Sequence, residues 1–235
     1  MKRILLASTS TLHGQDFLEY LFPEIIELFK NSGEILFIPY ARPGGMSHEE
    51  YTGKIKDAFK NMPFKVRGIH EFQDPKKAIL EAKGIFTGGG NTFLLVDKLH
   101  RAGIMELLKD RIQEGIPYLG TSAGTNIGGL TMQTTNDMPI VYPPSFKTLG
   151  IVSFNINPHY LDPDDNSTHK GETRETRIKE FHSINSQPVV GLREGSWLEV
   201  SGENITLKGN LDARIFRVNQ APVEMPSGSS LNDLN

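Results

Sequence analysis

Between residues 3 and 121, short runs of branched and aromatic apolar residues alternate with stretches of helical length, and this alternation constrains the fold more than any other feature. The apolar spacing predicts strands at 3–7, 35–40, 65–69, 84–87 and 116–119. It predicts helices over 15–30, 47–61 and 75–82, and from Leu94 to about Gly115. In the first of these, Phe17, Leu18, Leu21, Ile25, Ile26 and Leu28 fall towards one side. Strands joined through helices cannot be hairpins; they are crossovers, and crossovers place strands in parallel. The expected class is therefore α/β, a mainly parallel sheet with helices on both faces.

Beyond residue 124 the texture changes. The pattern predicts strands at 151–156 and 189–192 and a helix over 172–184, opened by a polar loop. Short strands at 198–200, 205–208 and 215–218 are separated by Gly202 and by Gly209-Asn210, which reads as antiparallel β-hairpins closing an edge of the sheet. Residues 221–235 are rich in Pro, Ser, Asn and Gly and are expected to be a mobile tail. With no repeat and no shift of composition, residues 1–220 are expected to form one domain.

The balance of charge and apolar content narrows the partners. Of 235 residues 37% are hydrophobic and 23% charged, with a formal net charge of -3, which argues against nucleic acid as a partner. The apolar run at the N-terminus is cut by Ser8-Thr9-Ser10-Thr11, too short for a secretion signal, and no stretch suits a membrane span. A cytoplasmic location and no membrane partner are expected. The chain has no cysteine, so disulfides, thiolate metal sites and cysteine nucleophiles are excluded. Nucleophilic chemistry here has to use oxygen or nitrogen.

Gly120-Thr121-Ser122-Ala123-Gly124 supplies a candidate oxygen. A strand that enters a helix through a tight turn lifts the central Ser122 onto an exposed corner, and the glycines keep side chains clear of it. The plainer role for Ser122 is a helix cap. A serine nucleophile needs a neutral imidazole within hydrogen-bond reach. His159 follows the strand at 151–156 through Asn157-Pro158, so it stands beyond a strand's C-terminal end, where open α/β sheets place their sites. His169, in a polar loop nearby, is the rival. His13, His48, His70, His100 and His182 read as solvated or structural. The imidazole in turn needs a carboxylate. Asp137 follows Thr134-Thr135-Asn136, and Glu194 ends the buried strand at 189–192. Asp137 also suits local Asx-type bonds, and Glu194 also suits a pairing with Arg193; spacing does not choose between them.

Five motifs occur together in one order: Gly88-Gly89-Gly90-Asn91-Thr92-Phe93, the Ser122 pentapeptide, Thr134-Thr135-Asn136-Asp137-Met138-Pro139-Ile140, Asn155-Ile156-Asn157-Pro158-His159, and His169-Lys170-Gly171-Glu172-Thr173-Arg174. In this combination the chain resembles serine peptidase family S51, from Leu5-Leu6 to about Trp197. The resemblance implies a fold similar to class I glutamine amidotransferase domains, with serine in place of their cysteine nucleophile. It implies hydrolysis of dipeptides with an N-terminal aspartate, without a metal or other cofactor. It implies Ser122 as nucleophile and His159 as general base, with Asp137 and Glu194 both candidates for the third position. Asp137, inside a matched motif, is preferred. The oxyanion needs two donors, for which the backbone N–H of Ala123 and one of the Gly88-Gly89-Gly90 turn, at Gly89 or Gly90, are suited. The same turn would suit a phosphate, but no P-loop ending or full dinucleotide motif accompanies it.

An aspartate carboxylate calls for a cation, and the planar fork of arginine binds it in two places. Arg174, within the last motif, is the expected reader of the substrate, with Asn91 as a second binding residue. Lys170 and Arg177 share its helix face; Arg177, among Glu172, Glu175 and Glu180, reads as solvated. The expected partner is a small dipeptide, and the assembly a monomer or homodimer. The alternatives are a related S51 peptidase cleaving aspartyl-arginine polymer, as cyanophycinases do, and a non-enzymatic module that binds acidic ligands.

Overall fold

The computed structural model describes residues 1–163 and 171–234. Its main sheet has seven strands. The first five in sequence are β1 (Arg3–Ala7), β2 (Glu34–Ile38), β3 (Lys65–Gly68), β4 (Ile85–Thr87) and β5 (Tyr118–Thr121). They lie in the order β3-β2-β4-β5-β1, and each neighbouring pair is parallel. Two more, β8 (Ser196–Ser201) and β9 (Asn204–Gly209), continue the sheet past β1 as an antiparallel hairpin.

Because successive strand residues point to opposite faces, each strand splits its apolar residues between two cores. Ile4, Leu6, Leu36, Ile38, Ile85 and Tyr118 pack with α3 (Pro75–Glu81), α4 (Thr92–Arg101) and α5 (Met105–Gln113). Leu5, Ala7, Ile35, Phe37, Phe86 and Leu119 pack with α1 (Phe22–Phe29) and α2 (His48–Ala58). Helices thus cover both faces, as the alternation predicts.

The differences from the sequence reading have local causes. The helix expected over 15–30 is shorter, starting at Phe22, because Leu18 adopts a left-handed conformation (φ 57°) and a 3-10 turn at 19–21 precedes α1. The long helix towards Gly115 is two, since Gly103 takes φ +64° between α4 and α5. The strand expected at 116–119 starts two residues later and runs directly into Ser122. The strand expected at 151–156 is also displaced, to Asn155–Pro158.

That displaced strand, β6, belongs to a second sheet of four strands. It pairs in parallel with β7 (Val189–Leu192), which pairs antiparallel with β10 (Ala213–Phe216). The strand expected at 215–218 therefore leaves the main sheet, and only β8 and β9 close its edge. Between β5 and β6 comes the single-turn α6 (Ala123–Asn126), and between β6 and β7 comes α7 (Arg174–His182).

Residues 221–234 are not the loose tail that their composition suggests. Within them β11 (Val223–Met225) adds to β10, Ser230 bridges Thr206, and Leu231 and Leu234 are 0% and 5% exposed. Average composition hides two well-placed leucines and the open edge of β10 that accepts a strand. Leu231→Ala is expected to cost about 2–5 kcal/mol, read from the denaturant midpoint. A loss under about 0.5 kcal/mol would detach this segment from the folding unit.

Candidate active site

Ser122 occupies the turn between β5 and α6 with φ 52° and ψ −108°, a conformation that costs an ordinary residue on the order of 1–3 kcal/mol. Its neighbours make the turn possible. A Cβ at Gly120 would collide with the Gly124 carbonyl, and one at Gly124 with the Thr87 carbonyl. The Ser122 N–H donates to the Ala7 carbonyl at 3.1 Å, and the Thr125 hydroxyl lies 2.6 Å from that same oxygen and 2.8 Å from the Gly120 carbonyl. The corner is thus tied to the ends of β1 and β5.

His159 is reached from the second sheet. The parallel register of β6 and β7 sets Pro158 opposite Leu192, so the residues just beyond both strands emerge side by side. His159 also takes positive φ (54°), and its N–H donates to Ser8 Oγ at 2.9 Å. Ser8 Oγ in turn donates to the Leu192 carbonyl at 2.7 Å. This hydroxyl, just past the end of β1, joins the two sheets at the site. So held, His159 places Nε2 2.8 Å from Ser122 Oγ and Nδ1 2.6 Å from Glu194 Oε1.

Asp137 is elsewhere. Its Oδ2 accepts from the Thr92 N–H at 2.7 Å and from the Thr135 hydroxyl at 2.9 Å, so it caps the start of α4. The carboxylate beside His159 is Glu194, which corrects the preference for Asp137 drawn from the motif. Asn91 is engaged as well: its Oδ1 accepts from Leu94 N at 3.0 Å, and its Nδ2 donates to the Met138 carbonyl at 2.8 Å. Asn136 and Asn157 bond each other at 2.9 Å, and Asn136 donates to the Pro158 carbonyl. The 134–138 segment is thereby fastened between β6 and α4.

The glycine turn after β4 stands against Ser122: a Cβ at Gly89 would come within 2.9 Å of Ser122 Cβ and 3.4 Å of its Oγ. Gly90 takes φ +142°, and its missing side chain lets the turn close on Ala41. Gly88 N–H is spent on the Ile38 carbonyl and Asn91 N–H on that of Ala41. Among the described residues, the N–H groups of Gly89, Gly90 and Ala123 donate to nothing, so free amides border the serine hydroxyl.

Arg174 opens α7 half-buried and, among the described residues, without an ion pair. Desolvation and the adjacent Arg177 hold its guanidinium below the usual range, and the charge of Asp137 acts the other way. Arg177 is exposed and lies 3.7 Å from Glu172, in keeping with a solvated helix face. His169 and Lys170 lie outside the described residues. His70, His100 and His182 bond Glu49, the Lys147 carbonyl and the Gln187 carbonyl, as structural histidines do.

Sequence reasoning missed Ser8, a residue beyond the C-terminal end of a parallel strand, where such folds gather their sites. It also missed Tyr20, whose hydroxyl donates to the Thr9 carbonyl at 2.7 Å. Burial and the charge of Glu194 push the Tyr20 phenol well above its ordinary range, so it remains a neutral donor beside the carboxylate.

A family model described as "Peptidase family S51" matches residues 4–208, a span that holds Ser122, His159 and Glu194. The chain belongs to peptidase family S51. Among its relatives in S51 is a protein of Streptomyces coelicolor named peptidase E, 48% identical over 231 residues that cover 98% of this chain and 94% of that one. A Drosophila melanogaster protein named probable alpha-aspartyl dipeptidase is 43% identical, over 95% of this chain and 93% of its own. A peptidase structure from an acI-B1 Actinobacterium superposes with a TM-score of 0.71 over 98% of this chain and 96% of the other. A putative peptidase E structure from Listeria monocytogenes EGD-e gives 0.65 over 89% and 99%. At 16% and 22% identity these two bear on the fold, which the S51 chain shares with them. Among the described residues no helix is long and apolar enough to cross a membrane.

Proposed function

We propose that this S51 peptidase is a serine dipeptidase that releases an N-terminal aspartate, with Ser122, His159 and Glu194 as its triad. The observation that carries the reading is the hydrogen-bonded chain from Ser122 Oγ through both ring nitrogens of His159 to Glu194, at 2.8 and 2.6 Å. Ser122 Oγ attacks the peptide carbonyl carbon while its proton passes to His159 Nε2. Glu194 accepts from Nδ1–H, which fixes the tautomer and stabilises the imidazolium. The amides of Gly89, Gly90 and Ala123 are the donors available to the oxyanion of the tetrahedral intermediate. The imidazolium then protonates the leaving amine as the C–N bond breaks. In the second half His159 takes a proton from water, whose oxygen attacks the acyl-enzyme, and aspartate leaves as Ser122 regains its proton. A dipeptide is the only partner this reaction requires, and a cysteine-free chain fits a reducing cytoplasm.

The substrate class follows from the dipeptidase relative's name and from Arg174, a half-buried cation without an ion pair among the described residues. A site built around such a guanidinium penalises an apolar residue, because its desolvated charge then stays unpaired. The charge of Asp137 acts on the Arg174 guanidinium, and Asn91 acts by holding the Met138 loop. Arg174→Ala is expected to lower kcat/KM for Asp-Leu by roughly 10²–10³, the half-open setting moderating the effect, while barely changing the poor hydrolysis of Ala-Leu. An equal fractional loss on both substrates would show that Arg174 supports the fold and does not read aspartate.

A further inference from the structure

An aspartyl dipeptide carries two carboxylates, one on the side chain and one at its C-terminus, and Arg174 answers only one. Among the described residues four arginines form no ion pair. Arg3 bonds the Glu27 and Leu28 carbonyls, and Arg67 lies within β3, three strands from β5. That leaves Arg174 and Arg42.

Arg42 follows Ala41 at the C-terminal end of β2, whose neighbour β4 carries the glycine turn. The Ala41 carbonyl accepts from Asn91 N at 2.7 Å, which fastens this loop to the turn. The Arg42 guanidinium lies 4.6 Å from the centre of the buried Tyr51 ring, and the Tyr51 hydroxyl reaches the Gly89 carbonyl at 3.3 Å. Gly89 in turn packs on Ser122. Guanidinium, phenol ring, glycine and nucleophile are therefore contiguous. Arg42 is half-buried, and its Nε is buried without a hydrogen-bond partner. Such a group is stacked and fixed in direction on Tyr51, yet among the described residues no carboxylate pairs with its charge.

The two arginines approach the glycine turn and the start of α4 by way of different faces of the main sheet. Tyr51, under Arg42, belongs to α2 and the core it shares with Phe37 and Phe86. Arg174 stands by Asp137 at the start of α4, whose Leu95, Val96 and Leu99 enter the core on the other face. A dipeptide offers its two anions one on each side of the scissile bond and each about one residue length, ~3.8 Å, from it.

We infer that Arg42 binds the C-terminal carboxylate of the substrate and so restricts the enzyme to dipeptides. A longer chain presents a neutral amide at that point and leaves the guanidinium unpaired. The inference rests on the dipeptidase reading and extends it to the leaving residue.

The test compares Asp-Leu with Asp-Leu amide, identical but for the C-terminal charge, on wild type, Arg42→Gln and Arg42→Lys. Wild type is expected to prefer the acid by about 10- to 100-fold in kcat/KM, the value of one charge-assisted contact. Arg42→Gln is expected to lose that factor on Asp-Leu, chiefly in KM, with the amide changed less than about 3-fold. Arg42→Lys keeps the charge without the fork and is expected to fall between; it carries the test should Arg42→Gln unfold at a lower temperature. Equal losses on acid and amide, or no loss on either, overturn the inference while leaving the dipeptidase reading intact. No turnover of Asp-Leu by wild type overturns the dipeptidase reading, and this inference with it.

Discussion

Ser122→Ala should lower kcat on Asp-Leu by about 10⁴–10⁶ and leave the fold intact. The scale follows from the reaction: without Oγ no acyl-enzyme forms, and what persists is binding and oxyanion stabilisation of a direct attack by water. The fold should survive because the hydroxyl's contact is with His159, whereas the corner itself is held by the Ser122 N–H and by Thr125. Steady-state turnover beside a circular-dichroism melt measures both halves. Retention of more than a tenth of wild-type turnover by a folded variant would remove Ser122 as nucleophile.

Glu194→Gln should be nearly as damaging, by about 10³–10⁴ in kcat. An amide at this position can present its NH₂ to Nδ1, which favours the tautomer that carries its proton on Nε2 and cannot accept from Ser122. The counterpart, Asp137→Asn, should act through the start of α4: a charged cap is replaced by a neutral one, at a cost of about 0.5–1.5 kcal/mol of stability. Its kcat should stay within about tenfold of wild type. Measuring kcat and the denaturant midpoint on both variants separates the roles. If Asp137→Asn proved the crippled enzyme and Glu194→Gln the active one, the carboxylate that contacts His159 would not be the one that catalysis uses.

What the sequence revealed divides along the line between local and distant determinants. The strands at 3–7 and 189–192 were legible to the residue because each is a compact apolar run with turn residues beyond it. Ser122 was legible because its requirement is local: the glycines on either side admit a turn that a Cβ would block. That His159 stands just beyond a strand's C-terminal end could be reasoned out from its place in the sequence. Which of Asp137 and Glu194 lies beside His159 could not, because it depends on β6 and β7 pairing in parallel with Pro158 opposite Leu192. No periodicity within either segment encodes that register. The place of Arg42 beside the glycine turn was invisible for a similar reason, since it emerges only once β2 is known to lie beside β4. The closing segment misled because composition was averaged over residues among which two leucines are buried.

The turn at Arg193-Glu194-Gly195 is where the chain passes from β7 in the smaller sheet to β8 in the larger. The Ser122 corner is anchored in one sheet, His159 projects from the other, and Glu194 rides on the backbone that crosses between those two strands. Neither sheet alone holds all three residues of the proposed triad. On the proposed mechanism catalysis is a property of the joint, so natural variation deep in either sheet that alters how the two meet would reach the chemistry without touching a reacting group.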